Sequence, residues 1–452
     1  MGRHALEQLG RTMPEWAVSE HGYGGRVSSE EDALAAIGSP DTSQTEEPID
    51  VLLREAHLVA PHQVAGLLRR HAAALGLTDT VAYLSDLQQL VLIPLVEPAG
   101  PGMDRQLAPL GVDSTVAGRC YQNVEMVVQQ PTLEGVRVWM PLLDGAERLG
   151  VLGVTTTAVA DLEGDGGRLT TQLHRFAAIA AEVIMSRTLY GDTLVRIRRR
   201  RELGLAAELQ WGLLPPLTFA CPEVTVAGAL EPAYEVAGDS LDYAVDAGSA
   251  RFAVFDGMGH GLHSAQLTAL AVAAYRNARR ADMSLIDTIE AIDLAVSTAH
   301  PGSFVTAVIA QLDTDTGLLS WVNVGHPEPM LLRDRRAVKS LHNMPTLPFG
   351  ISRALGREVA VHIRTEQLEP GDRLLLYTDG ITDIRSPDGE FFDVHRLLDL
   401  LAANLAARLP IPETMRRLVR SLLDHQQGPL SDDATMLLVE WRSGNERTVL
   451  PS

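Results

Sequence analysis

The spacing of apolar positions changes several times along the chain, and each change marks an element. In DVLLREAHLVAPHQVAGLLRRHAAALGL (50–77) apolar residues recur every three or four positions and predict helix, whereas TVAYLSD (80–86) and QLVLIPLV (89–96) read as strands joined by a polar turn. GVRVWMPLLDGAERLGVLGVTT (135–156) reads as a hairpin around LDGAE, and LTTQLHRFAAIAAEVIMSRTLY (169–190) as an amphipathic helix. TLVRIRRRRELGLAAELQWGLLPP (193–216) predicts one further helix, stopped by Pro215, with Leu194, Ile197, Leu205 and Leu209 near heptad spacing. From about 222 short β segments alternate with long helices: EVTVAGAL, LDYAVDA and ARFAVFD, helices over 262–280 and 285–298, FVTAVIAQLD, LLSWVNVG and PMLLRD, then RLLLYTDG, a helix after Phe392, and DATMLLVEW. Short β connections with helices inserted in pairs predict an α+β domain of antiparallel sheets.

These elements divide the chain into an acidic tail over 1–47, a first domain over 48–188, a linker helix over 189–216, a second domain over 217–443 and a short tail over 444–452. The first tail contains SSEEDALAAIGSPDTSQTEEPID, too poor in apolar residues to order itself easily, and is expected to be flexible.

Charge narrows the functional classes. The 58 acidic residues outnumber the 38 Lys and Arg to give a formal charge of −20, which disfavours nucleic acid and anionic membrane as partners. Arg198 to Arg201 form a basic run, expected to be a solvated helix face. Two cysteines, Cys120 and Cys221, supply neither a disulfide framework nor a metal-binding pair, and no apolar run is long enough to span a membrane, so a cytoplasmic protein is expected.

Four acidic positions stand at strand ends in the second domain: Asp239 in EVAGDSLD, Asp256 in VFDGMGHG, Asp379 in LLLYTDGITD, and the pair Asp432 and Asp433 in PLSDDATMLLV. Taken singly, each has an ordinary structural role as helix cap, turn residue or surface acid. Strand ends cluster at one sheet edge, and carboxylates gathered there repel one another unless cations lie between them. A donor set of oxygen alone points to hard ions such as magnesium or manganese. His260 and His326 are candidates for a general acid, although a loop histidine is more often a hydrogen-bonded structural residue. No Gly-x-Ser-x-Gly elbow supports a serine hydrolase, and no Gly-rich phosphate loop with Lys supports nucleotide chemistry by a second kind of two-metal enzyme.

Two resemblances sharpen this reading. DSTVAGRCYQNVEMV (113–127) and MPLLDGAERLGVLGV (140–154) resemble GAF domains, which implies a central antiparallel sheet and a sensor of a small molecule or protein signal, working chiefly through packing and partner contacts. The blocks EPAYEVAGDSLDY, FAVFDGMGHGLHSAQL, FVTAVIAQLD, VNVGHPEPMLL, LPFGI, LEPGDRLLLYTDGITDIRSPDGEFF and SDDATMLLV are similar to the PPM-type serine/threonine phosphatases, in the bacterial branch typified by RsbU and SpoIIE. The chain departs from that branch at Ala237, Gly238 and Ser240 around the first acid, without loss of a ligand. The resemblance implies an α/β/β/α sandwich and two divalent metals, Mn2+ or Mg2+. It implies Asp256 as the bridging ligand beside the Gly257 carbonyl, Asp239 on one metal, Asp379 and Asp432 on the other, and Asp433 assisting from behind. Gly257, Gly259 and Gly261 let the backbone bend round the metals. The implied reaction is hydrolysis of phosphoserine or phosphothreonine by metal-activated water, on a phosphorylated anti-anti-sigma (STAS-type) regulator. The expected assembly is a homodimer paired through the linker, and the competing reading is a catalytically inactive phosphatase-fold scaffold.

Overall fold

A computed structural model describes residues 48–442 apart from 98–106, 131–134, 159–161, 163–166, 232, 236–237, 334–335, 358, 408, 428–429 and 431. Both expected tails, and Ala237, lie outside the described residues.

Helix α1 (Pro48–Ala56) and helix α2 (Val64–Ala74) occupy the first apolar stretch. One helix was expected here. Pro61, which lacks an N–H and has a fixed φ, instead opens a single 3-10 turn, Pro61–Gln63, between them. Strands β1 (Thr78–Ser85), β2 (Val91–Pro94) and β3 (Leu110–Gly111), helix α3 (Val116–Asn123), and strands β4 (Val127–Val128), β5 (Val136–Asp144) and β6 (Glu147–Thr156) follow, closed by helix α4 (Arg168–Thr188). The six strands form one antiparallel sheet in the order β3-β2-β1-β6-β5-β4, as expected for the first domain. One face packs α1, α2 and α4 through residues such as Leu68, Val138, Leu152 and Phe176, while the other packs α3 through Tyr121 and Trp139.

The linker differs from its sequence expectation. Instead of one helix, α5 (Asp192–Ile197) and α6 (Leu205–Leu213) are separated by a non-helical link over 198–204. Leu194 is 1% exposed in the core of the first domain whereas Leu205 is 69% exposed, so the four leucine and isoleucine positions form no continuous stripe. Within that link the four arginines of the basic run each meet a separate partner. Arg198 Nε donates to the Ser85 carbonyl at 3.0 Å, Arg199 meets Glu208 at 2.9 Å, Arg200 lies 3.9 Å from the Asp86 carboxylate, and Arg201 pairs with Glu235 at 3.3 Å. The run is therefore a connector between elements and not a solvated helix face.

Strands β7 (Thr218–Ala220), β8 (Val224–Glu231), β9 (Asp239–Asp246) and β10 (Ser249–Gly257) lead to helices α7 (Leu262–Arg280) and α8 (Leu285–Ala299). Then come β11 (Val305–Asp313), β12 (Leu318–Val324), β13 (Met330–Arg333), β14 (Arg336–Ser340), the short α9 (Ile351–Ala354), β15 (Arg364–Gln367) and β16 (Arg373–Tyr377). Helices α10 (Val394–Ala406) and α11 (Ile411–Gln426) precede the last strand, β17 (Ala434–Trp441). Two antiparallel sheets result, β15-β12-β11-β10-β9 and β14-β13-β16-β17-β8-β7. Period-two alternation gives each strand two apolar faces. Phe252, Val254 and Val308 of one sheet meet Val226, Leu374 and Leu437 of the other between the layers. The outer faces carry α7 and α8 through Phe255 and Val272, and α10 and α11 through Leu375 and Leu418. This is the expected α/β/β/α sandwich.

Candidate metal centre

The acids expected at strand ends do come to one end of the sandwich. Asp239 opens β9, Asp256 is the penultimate residue of β10, and the two are direct partners in the antiparallel ladder. Asp379 follows β16 after Thr378, and Asp432 and Asp433 immediately precede β17, the strand hydrogen-bonded to β16. Asp239 is buried at 2% exposure, Asp256 is half-buried, Asp433 is buried, and Asp379 and Asp432 face solvent.

Burial and mutual repulsion act on the carboxyl groups together. Burial, and then the charges of Asp256 and Asp433, raise the Asp239 carboxyl well above the ordinary carboxylate range. Asp256 is pushed up to about 7 by burial and then by Asp379, Asp432 and Asp433. Asp379 is also raised, by burial and then by Asp383 and Asp432. Among the described residues no three His, Cys, Asp or Glu side chains are gathered tightly enough to hold an ion as they stand. The donor chemistry nonetheless fits hard divalent cations, since several acids are held within electrostatic reach of one another with no guanidinium or ammonium among the causes acting on Asp239, Asp256 or Asp379.

Hydrogen bonds fix the frame. Asp433 Oδ2 accepts from the Gly238 amide at 2.5 Å and the Asp239 amide at 3.3 Å, so it holds the backbone that carries Asp239. Asp432 Oδ1 accepts from the Asp433 amide at 2.9 Å. Thr378 Oγ1 donates to Asp239 Oδ2 at 2.6 Å and accepts from the Thr435 amide at 3.0 Å, joining β9 to the loop of Asp379. The Gly257 carbonyl accepts from Ser264 Oγ at 2.7 Å. A Cβ on Gly257 would strike the Thr268 and Ser264 side chains, and one on Gly380 would strike the Asp433 carbonyl, so the loops of Asp379 and Asp433 touch backbone to backbone. Gly259 and Gly261 have φ of 88° and 79°, as the expected bend after Asp256 requires.

Sequence reasoning missed three contributors. Thr378 and Asp383 sit within YTDGITD beside the acid that was identified, and Ser264 lies in the first turn of α7. Only the spacing of Asp383, four residues after Asp379, carried a sequence signal. Of the two histidines, His260 is exposed in the loop after Asp256, whereas His326 is buried.

A buried ion network joins the first sheet to the sandwich. Arg148 of β6 meets Glu413 of α11 at 2.9 Å, and Arg416 pairs with Glu413 at 2.9 Å and with Asp113 at 2.6 Å. Glu413 is fully buried, and its carboxyl is held below the ordinary range because Arg416 and Arg148 outweigh the opposing effect of burial. Nearby, Gln88 donates to Glu231 at 3.1 Å and the Arg200 amide donates to the Tyr234 hydroxyl at 2.9 Å. The segment leading to Asp239 therefore touches both the first domain and the link.

Residues 246–442 match the family model for Stage II sporulation protein E (SpoIIE). The chain is 32% identical over 147 residues to Protein IcfG of Synechocystis sp., covering 32% of this chain and 22% of that protein. It is 25% identical over 252 residues to the phosphoserine phosphatase RsbP of Bacillus subtilis, covering 54% of this chain and 59% of RsbP. It thus spans less than two thirds of either relative. A solved structure of RsbU and RsbW domains from Mycobacterium tuberculosis superposes with a TM-score of 0.43 at 26% identity, over 50% of this chain and 62% of that one.

Proposed function

We propose that residues 246–442, which match the SpoIIE family model, form a PPM-class phosphatase domain, and that the chain is a metal-dependent protein serine/threonine phosphatase. The observation that carries the reading is the pairing of Asp239 with Asp256 across β9 and β10, with Asp379 and Asp432 acting on Asp256 from the other sheet. Asp256, with the Gly257 carbonyl beside it, would hold the ions together with Asp239, Asp379 and Asp432. Asp433 is turned to the Gly238 and Asp239 amides, which suits a supporting role better than direct ligation. Two Mn2+ or Mg2+ ions held by this set supply Lewis-acid chemistry, making a nucleophile of water near neutral pH and neutralising phosphoryl charge. Thr378 aims the Asp239 carboxylate, and Ser264 fixes the direction of the Gly257 carbonyl.

The substrate class is a phosphoserine or phosphothreonine on a regulatory protein, an anti-anti-sigma factor of the STAS type. The first domain, GAF-like in its sheet, receives the signal and passes it through the Arg198–Arg201 link to the segment before Asp239. The chain acts in the cytoplasm, in keeping with the absence, among the described residues, of a helix long and apolar enough to cross a membrane. It pairs as a homodimer through a surface that includes the exposed Leu189, Tyr190 and Leu205 rather than a heptad stripe. A panel of phosphoserine and phosphothreonine peptides and nucleotides, assayed with Mn2+, tests the substrate class. Hydrolysis of the peptides alone is expected, and turnover of nucleotides alone overturns the assignment.

The acids do not close on a common point as they stand, which favours a second reading of the domain as an inactive scaffold. Hydrolysis that appears on addition of Mn2+ excludes it.

A further inference from the structure

We propose that His326 is a positioning residue of the metal centre, a buried imidazole strut that sets the spacing between Asp256 at the end of β10 and Asp379 beyond the end of β16. The proposal deepens the phosphatase reading and rests on it.

His326 follows β12 in the turn Gly325–His326–Pro327 and is 7% exposed. Its backbone is pinned from both sides: its amide donates to Asn323 Oδ1 at 2.8 Å, and its carbonyl accepts from Asn323 Nδ2 at 2.7 Å. A ring on so fixed a backbone has a defined direction. Nδ1 lies 2.8 Å from Thr306 Oγ1. Thr306 is the partner of Asp256 in the β10–β11 ladder, so the ring braces the strand beside Asp256. The strand that follows His326, β13, pairs with β16, whose last residue Tyr377 also acts on the ring through its backbone, and Nε2 is buried without a hydrogen-bond partner. Tyr377 leads through Thr378, the residue bonded to Asp239, into Asp379. One ring therefore stands between the strand partner of Asp256, in the first sheet of the sandwich, and the strand end that delivers Asp379, in the second.

Its protonation state suits that position. Burial holds the imidazole neutral, with its pKa pushed down to about 3. A neutral ring offers one donor and one acceptor. One of these is used at Nδ1, which shares a hydrogen bond with the Thr306 hydroxyl. The ring brings no positive charge beside a cation site, and a buried neutral imidazole is a poor general acid at neutral pH. Residues that orient metal ligands from behind typically change metal affinity about 10- to 100-fold when removed.

The test uses the full chain and reads Mn2+ affinity by titration calorimetry, with kcat and KM measured beside it. His326→Ala and Thr306→Val are each expected to weaken Mn2+ binding about 10-fold or more. The double variant should lose no more than the worse single one, because both changes cut the same strut. His326→Gln, which keeps an acceptor and a donor, should recover most of the affinity, and the loss in His326→Ala should fall on kcat at low Mn2+ with KM little changed. Wild-type affinity in Thr306→Val overturns the proposal, even where His326→Ala does not fold. Additive losses in the double variant overturn it also. A wild-type chain that binds no Mn2+ overturns the phosphatase reading together with this one, whereas Mn2+ binding that is equal in wild type and variants overturns the strut alone.

Discussion

Asp239 and Asp256 stand directly opposite each other across the β9–β10 ladder, two like charges where a strand pair ordinarily places complementary ones. Burial adds to the conflict, and both carboxyl groups are shifted toward the protonated form. Such an arrangement destabilises the metal-free fold.

The first prediction is a pH dependence opposite in sign to that of an ordinary salt-bridged carboxylate. A carboxyl group with a raised folded pKa binds protons more tightly in the native than in the unfolded chain, so stability falls as pH rises. For Asp256 the loss begins near the unfolded value of about 3.9 and is complete above the folded value of about 7. Melting temperatures of metal-free protein should therefore decline between these limits through the contribution of this site. Asp256→Asn should flatten the decline, and saturating Mn2+ should do the same in the wild type. A decline of equal slope in wild type and variant contradicts the assignment of the strain to this pair.

Gly380 gives a second prediction. Its Cα approaches the Asp433 carbonyl so closely that no side chain fits between them. Gly380→Ala should cost about 1–3 kcal/mol in stability and weaken Mn2+ binding, because the loops bearing Asp379 and Asp432 must part. Chemical denaturation and calorimetry on one preparation check both effects.

The third concerns the buried network between the first sheet and α11. Glu413→Ala leaves Arg148 and Arg416 without their shared carboxylate inside the protein. A loss of about 3–5 kcal/mol is expected for breaking a buried pair in this way. Proteolysis of the variant should quicken first in the link over 198–204, which the first sheet and the sandwich hold between them. Unchanged stability shows that the network contributes little to docking.

Much of this architecture was legible in local pattern. Helix α7 spans the residues that its periodicity indicated, and the β5–β6 hairpin turns at Asp144–Gly145–Ala146–Glu147 as its Asp-Gly signal implied. The acids were legible because each closes or precedes a strand of clear alternation. The linker was not, because the partners that its arginines meet, Ser85, Asp86 and Glu235, come from elsewhere in the chain and leave no trace in its own spacing. The Arg148–Glu413 pair spans 265 residues and is equally invisible to pattern. Thr378 was passed over because a threonine at a strand end is ordinary until its hydroxyl is seen on Asp239.

The central claim, that these acids form a working metal centre, is tested most directly by the rate of Mn2+-dependent hydrolysis of a phosphoserine peptide by wild type and Asp256→Asn. Removal of the Asp256 carboxylate is expected to lower kcat by about 100-fold or more, a loss of roughly 2.7 kcal/mol in transition-state stabilisation, while the variant stays folded by circular dichroism. Equal rates in the two proteins, at matched Mn2+, would contradict the account.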